Sequence, residues 1–182
     1  MYLVYYLGTP NHMLDLVKID KSRFKDAVGA YWLWKELNAF IKNSHNRGLN
    51  FPETISETLA CYALGFHLNR GSGGDAQNPN TKEIIEFKAT SNWDRDTSSF
   101  SPSENFDHLY FIRLNQREDK IFIYDLQIDS EQLKDIQVNK TQTLGNQQAQ
   151  GRRPRFSIIK KIIEKNGYEP VCGVDIRKEK VI

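Results

Sequence analysis

The chain has 182 residues, a length that suits one domain and is enough to bury a core without help from disulfides or metal. It is 39% hydrophobic and 26% charged, and no apolar run reaches the roughly 20 residues that cross a bilayer, which excludes membrane-spanning, collagen-like and fully disordered proteins. The opening MYLVYYLGTP has no basic start and no small-residue cleavage pattern, and Cys61 and Cys172 stand far apart. We therefore expect a reduced, cytoplasmic protein.

Basic residues are concentrated toward the end of the chain, although the net charge is only +2. Residues 139–165 hold seven of them against Glu164 alone, a local charge of +6: Lys140, Arg152, Arg153, Arg155, Lys160, Lys161 and Lys165. An amide-rich stretch that includes Gln148 precedes the arginines. Because Arg and Lys neutralise phosphates and Arg, Gln and Asn read base edges, we expect this segment to contact nucleic acid. A solvated surface is the alternative.

Two helices are predicted in the first third of the chain. Ser22 suits the N-cap of a helix that runs to about Asn43, with apolar residues at helical spacing. Pro52 favours the first turn of a second helix, which is expected to end near Gly65. The following residues 71–80, GSGGDAQNPN, are too rich in Gly, Asn and Pro to predict a regular element.

Three strands and a last helix are predicted in the remainder of the chain. The strands cover residues 83–89, 109–114 and 120–126, and their continuous apolar runs are typical of strands that are covered on both faces. Pro154 is expected to open a short helix that ends at Gly167. Helices before and after a central sheet indicate a mixed α/β domain.

Charged residues interrupt the first predicted strand. Alternation puts Glu86 and Lys88 on one face and Ile85 and Phe87 on the other. The Gly-rich loop upstream can bring Asp75 beside Glu86, and two carboxylates with a strand carbonyl, such as that of Phe87, and waters form the hard oxygen site that Mg²⁺ accepts. Lys88 would then face the attacking water or the scissile phosphate, an arrangement that cleaves phosphodiesters.

Glu86 and Lys88 also have a simpler explanation, which is a salt bridge between strand residues. An acidic residue two positions before a lysine is a common pattern, and this chain repeats it in Glu118, Asp119 and Lys120, where we expect a turn with solvated charges. The pattern alone therefore leaves both explanations open.

Glu57 is a further candidate on the second predicted helix. It shares a stripe of that helix with Cys61 and Leu64, beside an apolar stripe, so the helix is expected to be largely buried. A carboxylate there needs a partner. The alternative is an exposed Glu in the first turn, where the helix dipole favours negative charge.

Glu57 on a helix, then Asp75, then Glu86-Phe87-Lys88 in a strand resemble the PD-(D/E)xK nuclease superfamily, the fold of most type II restriction endonucleases. The resemblance covers about residues 52–126. It implies a restriction-endonuclease-like core, with a central mixed β-sheet flanked by helices. It also implies that Asp75 and Glu86 bind Mg²⁺, that Glu57 is linked to the metal directly or through water, and that Lys88 orients the nucleophilic water.

This sequence departs from the motif in one position and carries a narrower resemblance beside it. Gly74 stands where the motif has proline, a substitution that leaves the metal ligand in place. KATSNWDRDTSSFSPSENFDHLYFIRL and GRRPRFSI are similar to segments of small restriction endonucleases that cut GCNGC. This resemblance implies sequence-specific hydrolysis of double-stranded DNA that leaves 5′-phosphate and 3′-hydroxyl ends.

Polar residues directly after the catalytic strand are candidate DNA contacts: Thr90, Ser91, Asn92 and Arg95. Their alternative is a polar surface loop. We interpret residues 1–182 as one nuclease domain that acts as a homodimer, because a palindromic or near-palindromic site requires two-fold symmetry.

Other chemistries fit the sequence less well. The histidines are scattered, the cysteines lack metal-ligand neighbours, and GSGG lacks the lysine of a phosphate-binding loop, so neither zinc nor an organic cofactor is expected. Two rival functions stay open at this point: a structure-selective repair or recombination nuclease, and a DNA-binding protein without catalysis.

Overall fold

The computed structural model describes residues 14–45 and 47–182, so the opening segment on which we based the absence of a targeting signal lies outside it. Its helices are Lys21–Ser44 (α1), Glu53–Leu64 (α2), Ser130–Leu133 (α3), Leu144–Gln148 (α4) and Glu164–Asn166 (α5), with a π-helical turn at Ile159–Ile163 directly before α5. Within the described ranges, every helix is too short or too polar to cross a membrane.

The strands are short except at the centre of the molecule. They are Leu16–Lys18 (β1), His67–Asn69 (β2), Ala76–Gln77 (β3), Ile84–Thr90 (β4), Ser98–Ser99 (β5), His108–Asn115 (β6), Lys120–Asp125 (β7), Arg155–Phe156 (β8), Cys172–Asp175 (β9) and Lys180–Val181 (β10). The three predicted strands correspond to β4, β6 and β7.

Eight of these strands form one mixed sheet, in the order β1-β2-β3-β4-β6-β7-β9-β10, while β5 and β8 pair separately. All neighbours in the large sheet are antiparallel except β4 and β6, which run parallel. A parallel pair requires a long crossover connection, here residues 91–107. The central mixed sheet with flanking helices confirms the predicted α/β fold.

Hydrophobic cores cover both faces of the sheet, as the apolar strands predict. Strand β6 shows this alternation, because Ile112 and Leu114 belong to one core while Leu109 and Phe111 belong to the other. The first core receives α1 and α2, and the second receives the π-helical turn and the crossover. The charged face of β4 therefore lies on the side of the second core.

The first helix begins two residues earlier than the sequence predicts. Asp20, and not Ser22, is its N-cap, and the Asp20 side chain accepts a hydrogen bond from the backbone N–H of Arg23 at 2.9 Å. A carboxylate at this position also interacts favourably with the helix dipole. The second helix ends as expected, with Gly65 in the left-handed conformation.

Two further expectations about local structure are wrong. Residues 71–80 contain the short strand β3, because pairing with β2 and β4 overrides the loop-forming composition. Pro154 precedes strand β8 rather than opening a helix, and helical structure starts only after Ser157. The helical end at Gly167, in the left-handed conformation, agrees with the prediction.

The turn between β6 and β7 is not simply solvated. Glu118 is exposed and pairs with Lys120 at 2.7 Å, as expected, but Asp119 is fully buried. Its carboxylate is bound by side chains from α1 and from the turn before β10: Tyr31, Lys35 and Arg177. These hydrogen bonds hold the pKa of Asp119 below its usual range even though burial acts in the opposite direction. Asp119 therefore ties three parts of the chain together.

Candidate active site

Asp75 is held beside β4 by two hydrogen bonds. Its backbone N–H donates to the carbonyl of Ile85 at 2.9 Å, and its Oδ2 accepts from the backbone N–H of Phe87 at 2.7 Å. Phe87 lies between Glu86 and Lys88 in sequence. The structure therefore brings Asp75 to the strand segment that carries the other two motif residues.

The backbone conformation just before β3 explains why residue 74 is glycine. Gly74 has a φ of +86°, in the left-handed region, whereas the proline ring fixes φ near −65°. A Cβ atom at this position would also collide with the side chain of Ile84. The conformation that places Asp75 therefore requires glycine where the motif has proline.

Glu86 and Lys88 form an ion pair on one face of β4. Nζ of Lys88 contacts Oε1 of Glu86 directly, and the two side chains are only 11% and 18% exposed. The salt bridge that the sequence left as an alternative is thus present. A buried ion pair returns little net stability, because desolvation of both charges offsets their attraction. Stability alone therefore does not account for these charges.

The carboxyl groups of Glu86 and of its neighbours Glu57 and Asp75 are difficult to ionise. Burial, followed by the Asp75 and other nearby carboxylates, raises the pKa of Glu57 to about 8. Burial raises the pKa of Glu86 to about 7 against the opposing effect of Lys88, and it raises the pKa of Asp75 against the hydrogen bond from Phe87. A divalent cation would relieve this concentration of negative charge, so the donor set fits a hard metal ion.

Asp75 and Glu86 form a pair of metal-binding candidates rather than a complete cage. Across residues 14–45 and 47–182, no three acidic, histidine or cysteine side chains meet closely enough to hold a metal ion by themselves. Mg²⁺ does not need such a set, because it keeps several waters and binds one or two carboxylates together with substrate phosphates. Glu57, on α2, stands outside the pair at the adjacent cleft.

A cleft of about 780 Å³ opens beside Lys88. Predicted residues from α2, β4, the crossover and the basic segment line it: Glu57, Phe87, Lys88, Thr90, Ser91, Asn92, Arg95 and Arg155. Asp75 accepts a hydrogen bond from Phe87, and Glu86 forms an ion pair with Lys88, so each of these carboxylates contacts a residue that lines the cleft. Residues that are distant in sequence therefore face one space large enough for a substrate segment.

The wall of the cleft also contains residues that sequence reasoning did not select. Arg47 and Asn50 enter from the connection between α1 and α2, and Glu53 and Ser56 enter from the beginning of α2. The feature that could have identified them in the sequence is their position in or next to the helix that carries Glu57. Arg47 adds a third arginine to the cleft lining, beside Arg95 of the crossover and Arg155 of β8 in the same set.

The other predicted DNA contacts have different surroundings. Arg152 and Arg153 are exposed just before β8, and Lys140 is exposed in a turn. Gln148 is engaged with the crossover, because its Nε2 donates to the carbonyl of Ser101 at 2.9 Å. Of the three clustered arginines, Arg155 is the one that lines the cleft.

Asp96 fastens the crossover to the basic segment. Its carboxylate accepts hydrogen bonds from two serine hydroxyls and two backbone N–H groups, those of Ser98, Ser157, Ile158 and Ile159. The pairing of β5 with β8 sets Ser99 opposite Arg155. These contacts fix Arg155 at the cleft edge.

Glu104 is the acidic residue that sequence reasoning missed. It lies in the crossover, and its Oε1 is 3.5 Å from Nζ of Lys88. Nothing in the local pattern marks it, because residues 101–107 show no strand or helix periodicity. Its position depends on the path by which the crossover returns to β6.

Comparison with known proteins identifies relatives of this chain. The sequence profile of the Bsp6I restriction endonuclease family matches residues 19–165, a range that includes every cleft residue named above. The type II restriction enzyme Bsp6I of Bacillus sp. (strain RFL6) is 74% identical over 168 residues, which are 92% of this chain and 97% of that enzyme. These matches confirm the resemblance to restriction endonucleases. The chain belongs to the Bsp6I restriction endonuclease family.

Proposed function

We propose that this type II restriction endonuclease hydrolyses double-stranded DNA with Asp75 and Glu86 as ligands of Mg²⁺ and Lys88 at the reacting phosphate. The observation that carries the proposal is the hydrogen bond from the Phe87 N–H to Asp75, which holds the Asp75 carboxylate at the strand segment that carries Glu86 and Lys88. A role in metal binding and catalysis then explains why these charges are kept in a buried strand although their desolvation costs free energy. This is the residue pattern of the PD-(D/E)xK superfamily.

The metal site would combine few protein ligands with substrate. Asp75 and Glu86 supply carboxylate oxygens, Phe87 supplies its backbone carbonyl, and Glu57 acts through water. When bound, Mg²⁺ supplies Lewis acidity that lowers the pKa of the attacking water and offsets charge on the phosphate. The hydrogen bond from Phe87 keeps the Asp75 carboxylate oriented in the free protein.

Lys88 acts on the reacting groups themselves. Its ammonium orients the water that attacks phosphorus in line and offsets the negative charge that develops on the phosphate. The water oxygen forms a bond to phosphorus as the bond from phosphorus to O3′ breaks. The water loses its proton to solvent and O3′ gains one, which leaves 5′-phosphate and 3′-hydroxyl ends.

DNA recognition is divided between the cleft and its surroundings. Ser91, Asn92, Arg95 and Arg155 line the same cleft as Lys88, so they would contact the DNA near the scissile phosphate. Lys140, Gln148, Arg152 and Arg153 would extend the contact along the duplex. The proposed site GCNGC contains guanines, whose O6 and N7 atoms are the commonest partners of a bidentate arginine.

The proposed assembly is a homodimer that works on both strands. GCNGC reads the same on each strand apart from its central base, so two copies related by a two-fold axis would present the same residues to both halves. The proposed location is the cytoplasm, which suits free thiols at Cys61 and Cys172.

Cleavage of a sequenced plasmid tests the proposal against its two rivals. Restriction predicts discrete fragments in Mg²⁺ whose ends share one sequence, and an intact plasmid in EDTA. Cutting confined to branched substrates would favour a repair nuclease. Binding without cutting in any divalent metal would favour a DNA-binding protein, and membership in a restriction family argues against both.

A further inference from the structure

Lys88 has two carboxylate partners, and only one of them belongs to the proposed motif. Its Nζ contacts Glu86 on the same strand and lies 3.5 Å from Oε1 of Glu104 in the crossover. Lys88 and Glu104 are 18% and 21% exposed, so both charges sit mostly away from water.

Glu104 has unused capacity to accept hydrogen bonds. Its Oε2 is buried and has no hydrogen-bond partner among residues 14–45 and 47–182. A buried carboxylate oxygen without a hydrogen bond costs free energy, so a further hydrogen bond to this oxygen would stabilise the protein. The Lys88 ammonium, which lies 3.5 Å from Oε1 of the same carboxylate, carries three N–H groups.

A metal-ligand role for Glu86 would compete with its contact to Lys88, because the same carboxylate would then serve two cations. If Glu86 held Mg²⁺, its contact with the Lys88 ammonium would weaken, and a buried cation that loses a carboxylate partner is destabilised. On the basis of the proposed function, we propose that Glu104 is a positioning residue that takes over the ammonium of Lys88 when Glu86 binds the metal. Glu104 thereby holds Lys88 at the phosphate and frees Glu86 for its ligand role.

The crossover is built to hold Glu104 in place. The carbonyl of Ser101 accepts hydrogen bonds from the N–H of Glu104 at 3.3 Å and from the side chain of Gln148 at 2.9 Å. On the other side, the Asn105 side chain accepts a hydrogen bond of 3.0 Å from the hydroxyl of Ser130. These contacts hold the crossover backbone at Glu104, so less conformational entropy opposes the transfer.

Phe100, also in the crossover, supports the same placement. Its fully buried ring lies 5.3 Å from Nζ of Lys88, measured to the ring centroid, which is the distance of a cation–π contact. The crossover therefore offers Lys88 a ring and a carboxylate in addition to the contact on β4. If Glu86 binds the metal, Lys88 would still have its contacts with Glu104 and Phe100.

A double-mutant cycle tests whether Glu104 acts through Lys88. Glu104→Gln keeps the side-chain shape, removes the charge and is expected to lower the single-turnover cleavage rate by about 10-fold to 100-fold. In a Lys88→Ala background the same change is expected to lower the rate no further. Glu104→Asp, which retains the charge on a shorter side chain, is expected to recover part of the rate. Glu118→Gln removes a carboxylate that pairs with Lys120 on the surface and serves as the matched control.

A binding measurement adds a readout that does not depend on cleavage. Ca²⁺ is titrated calorimetrically into the complex of the protein with a duplex taken from a mapped cleavage site. Glu104→Gln is expected to weaken Ca²⁺ binding, because Lys88 then stays on Glu86 and competes with the metal. With Lys88→Ala in addition, that weakening is expected to disappear.

Two outcomes would overturn the inference. In the first, the Glu104→Gln variant cleaves DNA and binds Ca²⁺ as the wild type does. In the second, Glu104→Gln lowers the cleavage rate as much in the Lys88→Ala background as in the wild type, which would make Glu104 a metal ligand or a structural residue. Asp75→Asn separates this failure from failure of the proposed function. An inactive Asp75→Asn variant beside an unaffected Glu104→Gln variant contradicts only the role of Glu104.

Discussion

The carboxylate of Asp75 accepts a hydrogen bond of 2.7 Å from the backbone N–H of Phe87, the residue that separates Glu86 from Lys88. This contact joins the residue before β3 to β4, near the centre of the sheet. It holds the Asp75 carboxylate at Phe87, between the two charged residues of β4 in sequence. The preorganisation of the site therefore depends on backbone pairing and not on side chains alone.

Replacement of the proposed metal ligand on β4 should separate cleavage from binding. Glu86→Gln keeps the side-chain shape but removes the charge that Mg²⁺ needs, so we expect cleavage to be abolished. Affinity for the cognate duplex and the thermal unfolding temperature should stay close to wild type. Gel-shift assays in Ca²⁺ beside cleavage assays in Mg²⁺ measure both, and wild-type cleavage by this variant would exclude Glu86 as a ligand.

Loss of the motif lysine should act on rate. Lys88→Ala is expected to lower the single-turnover cleavage rate by about 10²-fold or more, the scale for removal of one positioned electrostatic or proton-transfer group. DNA affinity should hardly change. If the variant instead binds DNA poorly and cleaves the bound DNA at a normal rate, Lys88 is a phosphate anchor and not a transition-state group.

The three clustered arginines should fall into two groups. Arg155 lines the cleft, so Arg155→Ala should cost about 1 to 3 kcal/mol of affinity on the cognate duplex and much less on random DNA. Arg152→Ala and Arg153→Ala should weaken binding to both duplexes alike and reduce the salt slope by about 1, as expected of phosphate contacts. Affinities measured in Ca²⁺ across a salt series distinguish these patterns.

The contrary result for the arginines is also informative. If all three variants bind both duplexes as the wild type does, the basic segment is a solvated surface. Recognition would then have to come from the crossover, first from Asn92 and Arg95, which line the same cleft.

The buried carboxylate of Asp119 should contribute stability that depends on pH. Asp119→Asn suits the left-handed backbone at this position, where φ is +54°, but it leaves Lys35 and Arg177 without their anion. We expect a loss of about 3 kcal/mol at pH 7, near the low end for a broken buried pair because both cationic heads are partly solvated. Glu118→Gln, on the surface beside it, should change the free energy of unfolding very little.

The sign of the pH effect follows from the lowered pKa of Asp119 in the folded protein. Its contribution is fully present above the unfolded pKa of about 3.9 and is lost as the pH falls through the lower folded value. The difference in unfolding free energy between wild type and Asp119→Asn should therefore shrink below about pH 4. Denaturant titrations at pH 7 and in acid measure it, and a constant difference would show that the ionised form is not what stabilises the turn.

Local pattern was enough to predict the strand and helix that carry the candidate site. Alternation in β4 separates Glu86 and Lys88 from the apolar face, and helical spacing places Glu57 on α2. The approach of Asp75 was predictable because few residues separate it from the strand. These inferences succeed because each depends on contacts within one hairpin or one periodic element.

Contacts that depend on tertiary structure were not predictable in the same way. Glu104 reaches Lys88 only because the crossover between parallel strands returns beneath the charged face of β4. Asp119 is buried because α1 and the C-terminal turn close over it, although its sequence neighbours indicate a solvated turn. Pro154 marks a strand because β8 pairs with β5, and that pairing overrides the local preference for a helix start.

One experiment tests the proposed active site most directly. A plasmid of known sequence is incubated with the wild-type protein and with Asp75→Asn, which retains an acceptor for the Phe87 N–H but lacks the carboxylate charge, and the fragment ends are sequenced. We predict discrete fragments in Mg²⁺ for the wild type, with 5′-phosphate ends at GCNGC, no cutting in EDTA, and no cutting by Asp75→Asn under any of these conditions. Cleavage by Asp75→Asn at the wild-type rate, or by the wild type without a divalent metal, would contradict the account.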